Sequence, residues 1–161
     1  MKKDKIFLIG FMGVGKTYLG KRVADKLALN YYDIDLEIEK RVELDVNQIF
    51  KEKGEDYFRK IENQILLQWD RSGIISTGGG IIQNSQNRKF LSDESNLVIW
   101  LNPSWKKVKS RIINSYRPLV LNRSVDELFE LYESRIPYYE ECTDLQYNGS
   151  QVEALVDLIK K

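Results

Sequence analysis

A glycine-rich octapeptide near the start of the chain constrains the fold more than any other feature. It reads Gly10-Phe11-Met12-Gly13-Val14-Gly15-Lys16-Thr17 and directly follows four apolar residues, 6–9. A short apolar run that stops at glycine is typical of a buried parallel strand, and Leu19, Val23 and Leu27 then recur at helical spacing. A strand, a glycine-rich turn ending in Lys-Thr and a helix together form the P-loop pattern. We therefore expect this turn to bind the phosphates of a nucleotide.

The residue types of the turn suit that chemistry. Glycines let the backbone wrap closely around an anion, so that successive N–H groups and the following helix N-terminus point at it. Lys16 is expected to place its ammonium between the β- and γ-phosphates of ATP, and the Thr17 hydroxyl to complete the shell of a Mg²⁺ ion. A chance match is the alternative, and the strand and helix context argues against it. The predicted nucleotide contacts in the turn are Gly10, Met12, Gly13, Val14, Gly15, Lys16 and Thr17.

Strand and helix patterns alternate along the rest of the chain. Extended segments are predicted at 30–35, 73–76 and 97–101 and, more weakly, at 144–147, with helical periodicity between them. Such alternation predicts an α/β fold of three layers, α/β/α, with a mainly parallel central sheet of about five strands. A length of 161 residues fits one domain, so residues 1–161 are predicted to form a single P-loop domain.

Composition argues against several other classes of protein. The 25 basic and 24 acidic residues nearly cancel, so no global charge favours nucleic acid or a membrane surface. The single cysteine cannot form an intrachain disulfide, and without histidine the usual zinc ligands are missing. The apolar run at 6–9 is too short for a signal peptide core or a membrane span. We expect a cytoplasmic protein with neither a nucleic-acid nor a membrane partner.

Two carboxylates follow the second predicted strand. An ordinary P-loop ATPase holds magnesium with an aspartate after a later strand, but here the later strands run into Thr77 and Asn102. Asp33 is the expected substitute, reaching Mg²⁺ through water. Because Asp33 and Asp35 are two residues apart at a strand end, their side chains are expected on one face, near the P-loop. One would then serve the metal and the other a substrate. The alternative is that Asp35 merely caps a helix over 36–42.

Three further features suggest a site for a second substrate. Consecutive glycines at 78–80 would weaken the structure unless backbone had to approach a ligand, although a tight turn is the alternative. Arg59 lies three residues before Glu62, a spacing that is usually a solvated salt bridge. Arg135 falls within an apolar helical stripe, and a buried guanidinium requires an anion. That anion is either a carboxylate ligand or a structural partner such as Glu62 or Asp35.

A polar segment at 114–119 lies between two predicted helices. It contains Arg117 directly before a proline, as expected of a mobile loop. Arg117 could close over the phosphates and exclude water, which would protect ATP from hydrolysis. A solvated loop arginine is the alternative.

Taken in order along the chain, these motifs resemble the shikimate kinase family. The resemblance implies a P-loop kinase that transfers the γ-phosphoryl group of ATP to the 3-hydroxyl of shikimate, in chorismate and aromatic amino acid biosynthesis. Mg²⁺ would be the cofactor and ATP the co-substrate. The motifs are GFMGVGKT from Gly10, Asp33-Ile34-Asp35, Phe58-Arg59 with Ile61-Glu62, Thr77-Gly78-Gly79-Gly80, Arg117-Pro118-Leu119 and Arg135-Ile136-Pro137-Tyr138-Tyr139.

The same resemblance implies a role for each candidate residue. Arg59 and Arg135 would grip the shikimate carboxylate, and Asp35 would hold the ring hydroxyls and act as base. Lys16 and Arg117 would complete the catalytic set. Arg111 would lie against adenine, although Asn148-Gly149-Ser150 departs from the Asn-Pro-type turn expected opposite it. The remaining acceptor contacts would be the walls Phe50 and Phe58 and the backbone of Gly78, Gly79 and Gly80.

The resemblance also implies an organisation for the domain. A lid would span about 112–123 and an acceptor-binding region about 33–62, and the protein would be a cytoplasmic monomer. The nearest rivals are other small P-loop kinases, such as those for gluconate or nucleoside monophosphates, and the triple glycine and paired arginines argue against them. A nucleotide-binding regulator without catalysis gains no support from the intact Lys16, Thr17, Asp33 and Asp35.

Overall fold

A parallel sheet of five strands forms the centre of the computed structural model, which describes residues 3–161. The strand order is β2-β3-β1-β4-β5, and every neighbouring pair is parallel. The predicted mainly parallel sheet of about five strands is therefore confirmed. The strands are β1 (Lys5–Ile9), β2 (Tyr31–Asp33), β3 (Gly73–Ser76), β4 (Asn96–Leu101) and β5 (Leu145–Tyr147).

Helices occupy the connections between the strands. The helix at Lys16–Leu27 directly follows the P-loop. The helix at Trp105–Ile112 ends where the predicted lid of 112–123 begins, and the short helix at Pro118–Leu121 lies within that segment. No helix within residues 3–161 has both the length and the apolar character needed to span a bilayer. The helices are α1 (Lys16–Leu27), α2 (Ile34–Val42), α3 (Val46–Lys53), α4 (Glu55–Leu67), α5 (Ser85–Leu91), α6 (Trp105–Ile112), α7 (Pro118–Leu121), α8 (Val125–Cys142) and α9 (Val152–Lys160), with a 3₁₀ turn at Ile81–Gln83.

Two apolar cores lie on opposite faces of the sheet. Ile6 and Leu8 of β1 belong to a core that includes Leu155 of α9, whereas Phe7 and Ile9 belong to the other core. Successive side chains of a strand point to opposite faces, so a strand that is covered by helices on both sides is apolar at every position. This is why the run at 6–9 is continuous, and it confirms the predicted three layers.

The P-loop, Asp35 and the glycines at 78–80 follow the carboxyl ends of β1, β2 and β3, which are neighbours in the sheet, where ligands bind in open α/β sheets. One local expectation is wrong. Helix α2 begins at Ile34 rather than at 36, and its N-cap is Asp33, whose Oδ1 accepts a hydrogen bond of 2.9 Å from the Asp35 backbone N–H. Because β2 already ends at Asp33, Asp35 lies in the first helical turn and neither caps the helix nor shares a strand face with Asp33.

Candidate active site

Two adjoining cavities open at the carboxyl edge of the sheet. The first, called here the P-loop cavity, has a volume of about 530 Å³ and is lined by all the predicted nucleotide contacts except Gly10. The second, called here the arginine cavity, has a volume of about 470 Å³ and is lined by all the residues predicted to hold the acceptor. Segments far apart in the sequence, from the P-loop to α8, therefore meet in one cleft.

The two cavities share part of their walls. A ligand in one can therefore reach a ligand in the other without crossing a protein layer. A carboxylate and a guanidinium lie at this junction, together with two glycines and a methionine. The residues that line both cavities are Met12, Asp35, Gly78, Gly79 and Arg117.

The P-loop has a backbone that requires glycine. Gly13 and Gly15 have φ angles of +79° and +101°, in the region that side chains disfavour. Gly10 lies behind the cavity rather than in its wall, and a Cβ atom there would be 2.6 Å from the carbonyl oxygen of Leu101. Gly10 thus allows β1 and β4 to lie close together where the loop begins, and its own carbonyl faces Lys16.

Lys16 folds back onto its own loop. Its Nζ donates hydrogen bonds of 2.6 Å to the carbonyl oxygen of Gly10 and 2.9 Å to that of Phe11. Burial lowers the pKa of Lys16 to about 7, against an opposing effect of the Asp35 carboxylate. Both hydrogen-bond acceptors of this side chain are neutral carbonyls. An anion bound beside Lys16 would raise its pKa and favour the charged form.

Thr17 and Asp33 place oxygen atoms together beside the P-loop. The Thr17 hydroxyl donates a hydrogen bond of 3.4 Å to Asp33 Oδ2, and the Tyr31 hydroxyl donates one of 3.4 Å to the same atom. A hydroxyl and a carboxylate are hard oxygen ligands of the kind that Mg²⁺ prefers, and this ion usually takes few protein ligands when it also binds phosphates. The donor set at this position therefore fits Mg²⁺.

Asp35 is a carboxylate with an unsatisfied oxygen. Its Oδ1 is buried and has no hydrogen-bond partner within residues 3–161. Burial raises the pKa of Asp35 to about 7, and the neighbouring Glu62 and Asp33 carboxylates act in the same direction, against Lys16 and Arg59. A carboxylate with a pKa near neutrality is well matched to accepting a proton from a hydroxyl at physiological pH.

Arg135 is a buried guanidinium that forms no salt bridge in the part of the chain that the structure describes. It is 2% exposed, and neither its Nε nor its Nη1 has a hydrogen-bond partner among the described residues. Burial lowers its pKa, and its guanidinium lies 5.5 Å from the centre of the Phe11 ring. Buried charged donors are costly when unpaired, so this side chain is prepared for an anionic ligand in the arginine cavity.

Arg59 has the partner that its spacing predicts. Its Nη1 donates a hydrogen bond of 2.9 Å to Glu62 Oε1, and its Nη2 one of 3.4 Å to Glu55 Oε1. Glu62 is only 1% exposed, so the pair is not the solvated surface bridge that the spacing alone favours. Burial raises the pKa of Glu62, and Arg59 opposes this shift. The pairing fixes the guanidinium at the wall of the arginine cavity.

Each glycine of the run at 78–80 leaves room for a charged group. A Cβ atom at Gly78 would lie 2.8 Å from Glu62 Oε2 and 3.0 Å from Asp35 Oδ1. One at Gly79 would lie 3.4 Å from Arg135 Nη1, and one at Gly80 would lie 2.6 Å from Arg59 Cζ. The run is therefore more than a tight turn, because side chains there would displace charged groups next to the two cavities.

Residues of the predicted lid and two aromatic rings also line the cleft. Phe50 and Phe58 pack against each other in the arginine cavity with ring centroids 4.9 Å apart. Arg117 precedes α7 and reaches both cavities. Arg111 lines the P-loop cavity, and its Nη1 donates a hydrogen bond of 3.0 Å to the carbonyl oxygen of Gly13.

Sequence reasoning did not identify several residues of the cleft. Val46 and Asn47 line the arginine cavity, and Tyr18 and Ser150 line the P-loop cavity. Val46 could have been found, since it lies four residues before Phe50 and therefore on the same face of a helix. Tyr18 directly follows Thr17 of the P-loop, and Ser150 belongs to the turn that the sequence placed opposite Arg111, so both had a positional signal as well.

Together the parallel sheet, the P-loop and the adjoining arginine cavity define the chain as a P-loop kinase of a small metabolite. Comparison with known proteins identifies the family of kinases to which the chain belongs. The family model "Shikimate kinase" matches residues 12–160. The chain therefore belongs to the shikimate kinase family, whose members are ATP-dependent kinases acting on a hydroxyl group of shikimate.

Individual relatives agree with this assignment. Shikimate kinases of Macrococcus caseolyticus and Bacillus subtilis are 41% and 40% identical over 88% and 87% of the chain, covering 85% and 77% of those proteins. Among solved structures, the shikimate kinase of Acinetobacter baumannii in complex with shikimate has a TM-score of 0.84 at 29% identity, covering 98% of this chain and 90% of that one. That of Aquifex aeolicus has a TM-score of 0.82 at 33% identity, covering 97% and 94%. The chain is thus an ATP-dependent phosphotransferase with the activity of a shikimate kinase.

Proposed function

We propose that the two cavities divide the substrates between them, with the ATP phosphates in the P-loop cavity and shikimate in the arginine cavity. The γ-phosphoryl group would then pass to the 3-hydroxyl at the wall that both cavities share. The observation that carries this proposal is the position of Asp35 and Arg117 at that junction. Phosphoryl transfer requires little covalent chemistry from the protein, so positioning and charge neutralisation are the main contributions.

On the nucleotide side, the backbone N–H groups of the P-loop and the start of α1 would bind the phosphates. Lys16 would exchange its two backbone carbonyls for phosphate oxygens, which would raise its pKa from about 7 and keep it charged. Thr17 and, through water, Asp33 would hold Mg²⁺, which when bound neutralises the developing charge on the phosphates. Arg111 would lie against adenine in this cavity.

On the acceptor side, Arg59 and Arg135 would bind the carboxylate of shikimate. The unpartnered Nε and Nη1 of Arg135 would then gain hydrogen bonds, and the bound carboxylate would compensate a buried charge. Asp35 would orient the 3-hydroxyl and accept its proton as the oxygen attacks phosphorus. The Gly78, Gly79 and Gly80 backbone would support the ring, with Phe50 and Phe58 at its side.

The lid would complete the site. We propose that residues 112–123 close over both substrates and bring Arg117 onto the transferring phosphoryl group, since this residue already borders both cavities. Residues 1–161 would act as one catalytic domain and as a monomer, because this mechanism assigns every role to residues of one chain. A cytoplasmic location without nucleic-acid or membrane partners accords with the net charge of +1 and the single cysteine.

A coupled ADP-release assay with shikimate, gluconate and AMP as acceptors tests the proposal. We expect ADP release with shikimate alone. Lys16→Ala should remove roughly 3 to 5 kcal/mol of transition-state stabilisation, a loss of about a hundredfold to several thousandfold in rate. Lys21→Ala is the matched control, because Lys21 is exposed on the same helix and lies outside both cavities.

Two results would contradict the assignment. Near-normal turnover by Lys16→Ala would exclude the proposed phosphate site, whereas release of ADP with gluconate or AMP but not with shikimate would exclude the proposed acceptor. The Lys21→Ala control should stay within about twofold of the unmodified protein, because exposed substitutions away from a site have small effects.

A further inference from the structure

Tyr139 lies beneath the glycine run and has no role in the mechanism described above. Its side chain is 0% exposed, and its ring stacks on Trp100 with centroids 5.6 Å apart and an interplanar angle of 23°. The hydroxyl does not end in the apolar core, however. It donates a hydrogen bond of 2.5 Å to the carbonyl oxygen of Gly79, a residue that lines both cavities.

Tyr139 also adjoins the guanidinium that is proposed to bind the acceptor. It follows Arg135 by four residues on α8, so the two side chains lie on one face of the helix. Burial raises the pKa of Tyr139 well above its usual range, against the effect of the neighbouring Arg135. The hydroxyl therefore stays protonated and remains a hydrogen-bond donor at physiological pH.

Gly79 lies close both to Arg135 and to the P-loop. A Cβ atom on Gly79 would be 3.1 Å from the backbone nitrogen of Met12 and 3.4 Å from Arg135 Nη1. The hydrogen bond from Tyr139 is thus placed to fix the spacing between the P-loop and Arg135. Loss of the hydroxyl would leave the Gly79 carbonyl without this donor and remove a polar neighbour from Arg135.

We propose that Tyr139 is a positioning residue for the acceptor: its hydroxyl holds the Gly79 carbonyl and, through it, sets Arg135 for the shikimate carboxylate. This inference rests on the proposed function of Arg135. If Tyr139 only packs in the core, loss of its hydroxyl should lower stability alone. If it positions Arg135, the same loss should raise KM for shikimate more than KM for ATP.

Steady-state kinetics of Tyr139→Phe distinguish these two roles, because phenylalanine keeps the stacked ring and removes only the hydroxyl. We expect KM for shikimate to rise about 5- to 20-fold, as for loss of one buried hydrogen bond, with KM for ATP changed by less than about twofold. Tyr132→Phe is the matched control. Its hydroxyl donates a hydrogen bond of 3.1 Å to Asn102 Oδ1 from the same helix, outside both cavities.

Thermal unfolding followed by circular dichroism shows whether both variants are folded, and we expect similar Tm values for the two. The positioning role is overturned if KM for shikimate in Tyr139→Phe stays within about twofold of that in Tyr132→Phe. An equal rise in KM for both substrates also overturns it, since that result indicates general loosening of the cleft.

A double-mutant cycle with Arg135→Ala tests the route of the effect. If Tyr139 acts through Arg135, adding Tyr139→Phe to Arg135→Ala should raise KM for shikimate by no more than about twofold further. A full additional rise would show that the hydroxyl acts independently of Arg135 and overturn the inference. An Arg135→Ala variant with unchanged KM for shikimate would instead refute the proposed carboxylate clamp itself, and the inference with it.

Discussion

Replacement of Asp35 by asparagine should slow phosphoryl transfer and stabilise the fold at the same time. Asparagine has nearly the same shape as aspartate and carries no charge. The Asp35 carboxylate is held with Oδ1 buried and unpartnered, and burial together with Glu62 raises its pKa to about 7, from an ordinary value of 3.8. The folded protein therefore binds this proton more tightly than the unfolded chain does. The resulting loss of stability grows as the pH rises from about 4 to about 7 and is fully present above pH 7.

The size of the stabilisation follows from the pKa difference. A shift of about three units corresponds to about 4 kcal/mol at 1.36 kcal/mol per unit, and water in the adjoining cavities reduces this value. We expect Asp35→Asn to raise the free energy of unfolding by about 1 to 4 kcal/mol at pH 8. The gain should shrink as the pH falls through 7 and disappear below about pH 4, where the wild-type carboxyl is protonated in both states.

Urea unfolding at pH 8, 6 and 4, with ADP release measured at pH 8, provides the assay. Loss of the proton acceptor should lower kcat by about 10²- to 10⁴-fold. Asp70→Asn is the matched control, because Asp70 is exposed after α4 and lies outside both cavities. We expect it to change the free energy of unfolding by less than about 0.5 kcal/mol. Lower stability of Asp35→Asn at pH 8, or an equal gain at pH 4 and pH 8, would refute the reasoning, as would near-normal turnover.

Two further predictions concern the acceptor side of the cleft. The first is measured at saturating magnesium ATP, when phosphates pair with Lys16. Below about pH 7, kcat/KM for shikimate should fall about tenfold per pH unit, because Asp35 must be ionised to accept a proton. A pH–rate profile that stays flat down to pH 5 would contradict the raised pKa of Asp35. The second concerns Gly80→Ala, which should raise KM for shikimate about 5- to 50-fold, because a Cβ atom there would lie 2.6 Å from Arg59 Cζ and displace the guanidinium. Its Tm should change little, because the backbone at φ −95° and ψ 6° accepts alanine. An unchanged KM in steady-state kinetics would argue against a role for Arg59.

The sequence was sufficient to predict the features that depend on local pattern. The P-loop follows from residue types at fixed spacing, and the burial of Arg135 follows from its place in an apolar helical stripe. The five-stranded parallel sheet follows from alternating strand and helix patterns. The order of the strands does not, because pairing between β2 and β3 or between β4 and β5 joins residues far apart in the chain.

The residue at which α2 begins could not be predicted from the sequence, for a different reason. Asp33 and Asp35 are both good helix caps, so their types alone do not decide which one begins α2. The decision depends on β2 ending at Asp33, where the chain leaves the sheet after only three paired residues. Both carboxylates still line the P-loop cavity, because the turn at Ile34 carries Asp35 back toward it.

The burial of Glu62 and the contact made by Tyr139 depend on tertiary packing, so the sequence alone could not predict them. A glutamate three residues after an arginine is usually exposed, yet Glu62 is buried by the glycine run above it. Tyr139 carries a partial signal, its spacing of four residues from Arg135. Its contact with Gly79 joins residues 60 positions apart, and no local pattern predicts such a contact.

A crystal structure of the chain with shikimate, Mg²⁺ and a non-hydrolysable ATP analogue would test the central claim most directly. We predict that the shikimate carboxylate lies between Arg59 and Arg135 and that the 3-hydroxyl lies about 2.6 to 3.2 Å from Asp35, facing the γ-phosphate across the shared wall. Shikimate bound outside the arginine cavity, or bound with its carboxylate toward the P-loop, would contradict the account.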